Sequence, residues 1–371
     1  MPIVAIIVLA SGLGSGTAAA PSAACLSRQS APVPPAYAAV VARARAVVCD
    51  RLLPRMPGLQ VAVAVAGKLV WSEGFGFADR ERKIPVTNAT QFRIGSVSKP
   101  LTAAGLALLY ERRKVDLDAP VQRYVPSFPA KRYPITTREL AGHLAGIRHY
   151  QDDEFLLNRH FNTVRDGLTI FERDSLLFPP GTKYSYSSYG WNLIGAVIEG
   201  ASGQGFLTYM SRSVFLPLGM THTAPDRADS VISDRTAFYD PHSLVGFTWF
   251  RVAPPVDNSY KWAGGGFLST AEDLVTFGSA LLEPGFLKAQ TLDLLFTSQR
   301  TTAGEPTGYG IGWFLATDSL GHRWVFHGGS AVGGTAAFGV DRDSRVVVAI
   351  LSNLSGAPLE PGAAIHESFD R

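Results

Sequence analysis

The stretch "FRIGSVSKPL", Phe92 to Leu101, sets Ser96 three residues ahead of Lys99 at the start of an apolar run. Helical spacing brings residues three apart onto one face, so this serine and lysine can meet side chain to side chain. A helix N-terminus also presents N–H groups that favour developing negative charge. Pro100 is compatible with a helix because it falls in the first turn, and Leu101, Ala104, Leu108 and Leu109 provide apolar positions that would bury the segment. The chemistry this pair offers is nucleophilic attack. A serine hydroxyl is a poor nucleophile until a neighbour takes its proton, and lysine accepts one near neutrality only where burial or a second cation lowers its pKa. The competing reading is a helix cap followed by a surface lysine, so further groups must decide.

Two other stretches offer such groups. "PPGTKYSYSSYGWNLIG" (179–195) reads as a turn at Pro180-Gly181, then three tyrosines and a helix. Tyr184, Tyr186 and Tyr189 are the candidates for a phenol whose pKa a nearby ammonium lowers and which relays protons to a leaving group; each alone also suits packing. "HGGSAVGG" (327–334) follows a strand-like run, and its glycines let a backbone edge approach a substrate closely. A backbone N–H there, paired with that of Ser96, would make an oxyanion hole. A glycine-rich strand end is the plainer alternative.

The elements that must position these groups are legible as patterns. "AVVARARAVVCDRLL" has helical periodicity, separating Val40, Ala44, Val47, Val48 and Arg51 into faces. "LQVAVAVAGKLVWSEGFGFAD" reads as two strands about a turn at Ala66-Gly67-Lys68. Near the other end, "HRWVFHGG" and "GTAAFGVDRDSRVVVAILSN" read as strands with a polar turn at Asp341 to Ser344. Between them lie helix signals at 102–110, 136–144, 189–199 and 271–282. The expected fold is α/β in the α+β sense: one mostly antiparallel sheet built from both chain ends, flanked by helices, with an inserted helical lobe and a cleft between.

The chain has 371 residues, 46% hydrophobic and 18% charged, enough for a large buried core. A net charge of +3 without a basic stripe interleaved with aromatics argues against a nucleic-acid partner. Residues 1–24 have a signal-peptide pattern: an apolar run from Ile3 to about Leu13, then small residues with cleavage choices at Ala20 or Ala24. That run is too short for a stable membrane span. The expected organisation is therefore a leader at 1–24, a linker at 25–39 and a hydrolase domain at 40–371, exported to the periplasm or secreted. Two cysteines compete for two fates: Cys25 and Cys49 form a disulfide, or Cys25, following "SAA", carries a lipid anchor. No cofactor is expected. His143, His149, His160, His222, His242 and His322 lack metal-ligand spacing and read as structural or exposed. "WAGGGFLSTAEDL" matches no phosphate-binding fingerprint and instead opens a helix from a Ser269/Thr270 cap. No G-x-S-x-G elbow occurs.

S-x-x-K, then a tyrosine motif after a Pro-Gly turn, then H-x-G near the C-terminus, taken in order, resemble the serine β-lactamase and penicillin-binding protein superfamily. The pattern is similar to the class C-like branch, which also holds esterases and D-amino-acid peptidases. "VDNSYKWAGGGFLST", "LAGIRHY", "VWSEGFGFAD" and "LDAPVQRYVPSFP" resemble more closely the group formed by the mitochondrial serine β-lactamase-like protein and its bacterial relatives, from about Gly58 to Asn353. The resemblance implies Ser96 as nucleophile, Lys99 as its base, Tyr186 as proton relay and His327 in place of the usual third-motif lysine. It also implies an oxyanion hole from the N–H groups of Ser96 and Ser330. Ser188, Gly328, Gly329, Tyr260 and Trp262 would then border the substrate. Ser188 stands where many relatives have asparagine. His327 lacks lysine's permanent charge for a substrate carboxylate. The expectation is an exported serine hydrolase acting through an acyl-enzyme on peptide, D-peptide or ester substrates, with weak or no β-lactamase activity. Its rival is a catalytically idle scaffold or ligand-sensing protein of the same fold.

Overall fold

The computed structural model describes residues 25–29, 31–244, 247–318 and 321–369. Its centre is an eight-stranded antiparallel sheet. In chain order its long path uses β1 (Ser27–Gln29), β2 (Gly58–Val65), β3 (Lys68–Asp79), β4 (Phe314–Thr317), β5 (Arg323–Ala331), β6 (Gly334–Asp341) and β7 (Val346–Ser352). Across the sheet the order is β1-β3-β2-β7-β6-β5-β4, so β2 pairs with β7 and the two chain ends join there. Both expected turns are present: Ala66-Gly67 links β2 to β3, and residues 342–345 link β6 to β7.

Alternation along the strands divides the apolar residues between two cores. Val61, Val63, Val348 and Ile350 face a smaller core shared with α1 (Ala38–Val47), through Val41 and Ala44, and with a C-terminal helix. Ala62, Ala64, Ala349 and Leu351 face the larger core, which holds the helical lobe. Central to that lobe are α2 (Ser98–Glu111) and α3 (Ser188–Ser202). Every residue of α2 from Ser98 to Leu109 is buried, including Lys99, because the helix is enclosed on all sides. α4 (Ala271–Ser279) packs on this face, capped by Thr270 Oγ1, which accepts from Asp273 N at 3.1 Å.

Three details differ from expectation. Ser96 lies not in the α-helix but in a 3-10 turn, Gly95–Val97, immediately before it. The helix expected over 136–144 is limited to Thr137–Ala141, and His143 beyond it adopts φ +60°. Residues 25–39 are not a bare linker: β1 pairs with β3, and a 3-10 turn spans Pro35–Tyr37. Cys25 is joined to Cys49, which leaves no Cys25 thiol for a lipid anchor. The expected leader lies outside the described residues, among which no helix is long and apolar enough to cross a membrane.

The Cys25–Cys49 bridge closes a loop of 24 residues between the edge strand and the segment after α1. Chain-entropy arguments put such a closure at about 3 kcal/mol of stability. Cys49→Ser is therefore expected to lower the unfolding free energy by about that amount in denaturant titration, with an unchanged far-ultraviolet spectrum at 25 °C.

Candidate active site

The nucleophile turn and β5 are pressed together at the backbone. Gly95 has φ +48°, and a Cβ there would lie 2.5 Å from Ser330 O and 2.7 Å from Ser330 N. On the facing side, a Cβ on Gly329 would lie 2.0 Å from Ile94 O. Only glycine at both positions lets the Ser330 peptide reach the turn that carries Ser96. Ser96 is half-buried and Ser330 exposed, so the two peptides stand at the rim of the site.

Lys99 meets three oxygens beneath Ser96. Its Nζ is 3.0 Å from Ser96 Oγ, 3.1 Å from Ser188 Oγ and 2.7 Å from Gly264 O. The side chain is fully buried, and burial followed by repulsion from Lys261 holds its pKa well below the ordinary lysine value of 10.5. A neutral amine in this position can donate to Gly264 O and Ser188 Oγ while its lone pair accepts the Ser96 proton. Ser188 thus occupies a place where an asparagine would also contact the lysine, through one hydroxyl.

Tyr186 lies over Lys99, with Nζ 4.8 Å from its ring centroid. Burial raises the phenol's pKa and outweighs the opposing influence of the Ser96 and Ser188 hydroxyls, opposite to the lowering expected from a neighbouring ammonium. Tyr186 is accordingly a neutral phenol that can give and regain a proton rather than a phenolate that takes one. Of the other candidates, Tyr189 donates to Glu154 Oε2 at 2.9 Å, and Tyr184 packs edge-on to His143.

His327 joins the cluster but turns inward. Its Nδ1 is 2.6 Å from Gly328 O, and Nε2 is 3.1 Å from Tyr309 Oη. The carbonyl can only accept, so Nδ1 carries the proton and Nε2 accepts from Tyr309. Burial and the nearby Lys99 push the imidazole down to about 3, leaving it neutral at ordinary pH. Gly328 is half-buried and Gly329 buried along the same edge. Tyr260 and Trp262 are 2% and 7% exposed, and Tyr260 Oη donates to Glu154 O at 2.8 Å. The Tyr260 hydroxyl is thus engaged within the protein, and the Trp262 indole N–H has no hydrogen-bond partner among the described residues.

Several site residues escaped the sequence reading. Gly264 supplies the carbonyl under Lys99 from within the "WAGGG" run. His149 Nδ1 accepts from Ser188 N at 3.2 Å, and His143 Nδ1 accepts from Ser187 N at 3.0 Å, fixing the start of α3. His143 also stacks 4.3 Å from Tyr186. Lys261 is buried against Phe155, Tyr260 and Tyr150, 4.2, 5.2 and 5.6 Å from their ring centroids. Burial and Arg93 bring it down to about 7. The segments "LAGIRHY" and "SYKWAGGG" carry no spacing pattern that turns their His and Lys residues toward Ser96.

The sequence profile described as Beta-lactamase matches residues 45–367. The mitochondrial serine beta-lactamase-like protein LACTB of Homo sapiens is 35% identical over 328 residues, covering 65% of this chain and 59% of its own length. The octameric penicillin-binding protein homologue from Pyrococcus abyssi superposes with a TM-score of 0.74 at 25% identity, over 88% of this chain and 76% of the other. EstCE1, a hydrolase with promiscuous acyltransferase activity, superposes at 0.75 and 25% identity, over 91% of this chain and all of its own.

If neutral Lys99 is what activates Ser96, the acid limb of the pH–rate profile follows the Lys99 pKa. Lys261 repels a proton on Lys99, so removing its charge raises that pKa. Lys261→Met is expected to move the acid limb of kcat/KM for a nitrophenyl ester to higher pH, measured over pH 4–9.

Proposed function

The chain belongs to the β-lactamase family and is a serine hydrolase, and we propose that it works through an acyl-enzyme formed on Ser96. The observation that carries this is the three-way contact of buried Lys99 with Ser96, Ser188 and Gly264. In the proposed cycle Lys99 takes the Ser96 proton as Oγ attacks a carbonyl carbon. The resulting oxyanion is received by the N–H groups of Ser96 and Ser330. Collapse of the tetrahedral species needs a proton on the leaving group; Tyr186 gives its own and is reprotonated by Lys99. Water then attacks the acyl carbon as the same pair takes its proton, and that proton passes to the departing Ser96 Oγ, restoring the hydroxyl.

The neutral His327 supports a substrate class. A third-motif lysine would give a carboxylate-bearing β-lactam a fixed cation, whereas His327 is uncharged and has both ring nitrogens engaged. Esters and peptide-like amides whose reacting end carries no carboxylate fit this site better than penicillins do. Export is part of the proposal and is supported by the Cys25–Cys49 disulfide, since such bonds persist in oxidising compartments. An idle scaffold has no use for a lysine buried with its pKa lowered against a serine hydroxyl.

Intact mass after brief incubation with a short-chain nitrophenyl ester is expected to show an acyl adduct on the wild type and none on Ser96→Ala. Turnover should fall by at least about a thousandfold in that variant. Nitrocefin is expected to be hydrolysed slowly or not at all; rapid hydrolysis that Ser96→Ala abolishes would contradict the substrate assignment.

A further inference from the structure

A second cluster of chemistry-bearing residues sits at the opposite end of β5 from the candidate active site. Asp341, the last residue of β6, pairs in register with Trp324, six residues before Ser330 and thus about 20 Å along the strand. Its carboxylate is fully buried. Oδ1 accepts from Asp343 N at 2.9 Å and Ser344 N at 3.0 Å, closing the turn to β7. Oδ2 makes no hydrogen bond among the described residues. It points instead at two imidazole nitrogens: His322 Nδ1 at 3.4 Å and Nε2 of His366, on the C-terminal helix α5 (Ala363–Phe369), also at 3.4 Å. His366 Nε2 is itself buried without a hydrogen bond, and its ring stands edge-on to Trp324, 3.8 Å between centroids. Asp318 completes the group, with Oδ1 accepting from His322 N at 2.8 Å and Oδ2 3.6 Å from His322 Nδ1. The donor atoms of Asp318, His322 and Asp341 all lie within 4.8 Å of one another.

The donor separations within Asp318, His322 and Asp341 suit one small ion: ligands held at about 2.0–2.1 Å around a tetrahedral ion are about 3.3–3.4 Å apart. An imidazole with two carboxylates takes a borderline ion such as zinc more readily than calcium or magnesium, which prefer all-oxygen sites. The geometry points to a divalent-cation site, of the zinc class, formed by Asp318, His322 and Asp341, with His366 outside the ligand set and set against the Asp341 carboxylate. The donors come from the β4–β5 connection and the end of β6, so one ion would fasten that connection to the sheet. Sequence spacing gave no sign of it because Asp341 is 19 residues from His322 and meets it only in the fold.

The test is zinc titration of chelator-stripped full-length protein by calorimetry, with Tm read in parallel and cobalt(II) absorption as a probe of geometry. One zinc per chain is expected, with a raised Tm and the intense visible bands of tetrahedral cobalt. His322→Ala, in the β4–β5 connection, is expected to weaken zinc binding at least tenfold and remove the Tm rise, while leaving ester turnover in the absence of metal unchanged. Failure of the wild type to take up zinc, or uptake that both His322→Ala and Asp318→Asn leave unaltered, would overturn the assignment.

Discussion

A lysine buried in an apolar helix is the constraint on which the rest of this structure depends. Desolvation disfavours the charge on Lys99, and the second cation, Lys261, disfavours it further. The fold tolerates the group because three oxygens meet Nζ, and each comes from a different element: the nucleophile turn, the start of α3 and the glycine run before α4. The sign of the linkage follows. Between the lowered folded pKa and the ordinary 10.5, the unfolded chain binds a proton that the folded chain does not, so Lys99 contributes a stability deficit that shrinks as pH rises through that window. The site is maintained against this deficit by the two cores on either side of the sheet.

Resistance to protonation is shared across the site rather than confined to the lysine. Tyr186 is kept as a phenol by burial, and His327 as an imidazole by burial and by Lys99. His143 is pushed well below its ordinary value by burial first and then by Lys99, His327 and His149. His149 keeps an exposed edge, yet desolvation of its inner face and the two lysines also lower it. A cluster of bases that all resist protonation suits a proton that must move from Ser96 to a leaving group without being trapped on the way. It suits a fixed anion poorly, which is why the proposed substrates are acyl donors lacking a carboxylate at the reacting end.

Much of the fold was legible because its signals are local. The patterned run "LQVAVAVAG" and the continuous apolar run "RVVVAILSN" marked strands whose joining in β2 and β7 follows from pairing both chain ends. Ser96, Lys99 and Tyr186 were legible because motif order adds information that none of the three stretches has alone. What escaped was set by tertiary contact. Gly264 acts through a carbonyl, which has no sequence signature; Lys261 and His149 act by facing a group some 160 and 50 residues away in the chain. The direction of the Tyr186 shift was misjudged because the sequence shows the neighbouring cation but not the depth of burial, and burial is the larger effect. The segment after Cys25 illustrates the same limit, since "SRQ" is too short and polar to read as a strand and becomes one only by pairing with β3 in the fold.

The central claim is that the fold holds the Lys99 pKa well below its ordinary value in the resting protein. Nuclear magnetic resonance of protein labelled at the lysine ε-carbons tests it directly, with the Lys99 signal assigned from its loss in Lys99→Arg. The account predicts a signal that titrates well below the ordinary lysine range and moves upward in pH when Lys261 is replaced by methionine. A Lys99 signal that titrates near 10.5, with or without Lys261, would contradict it.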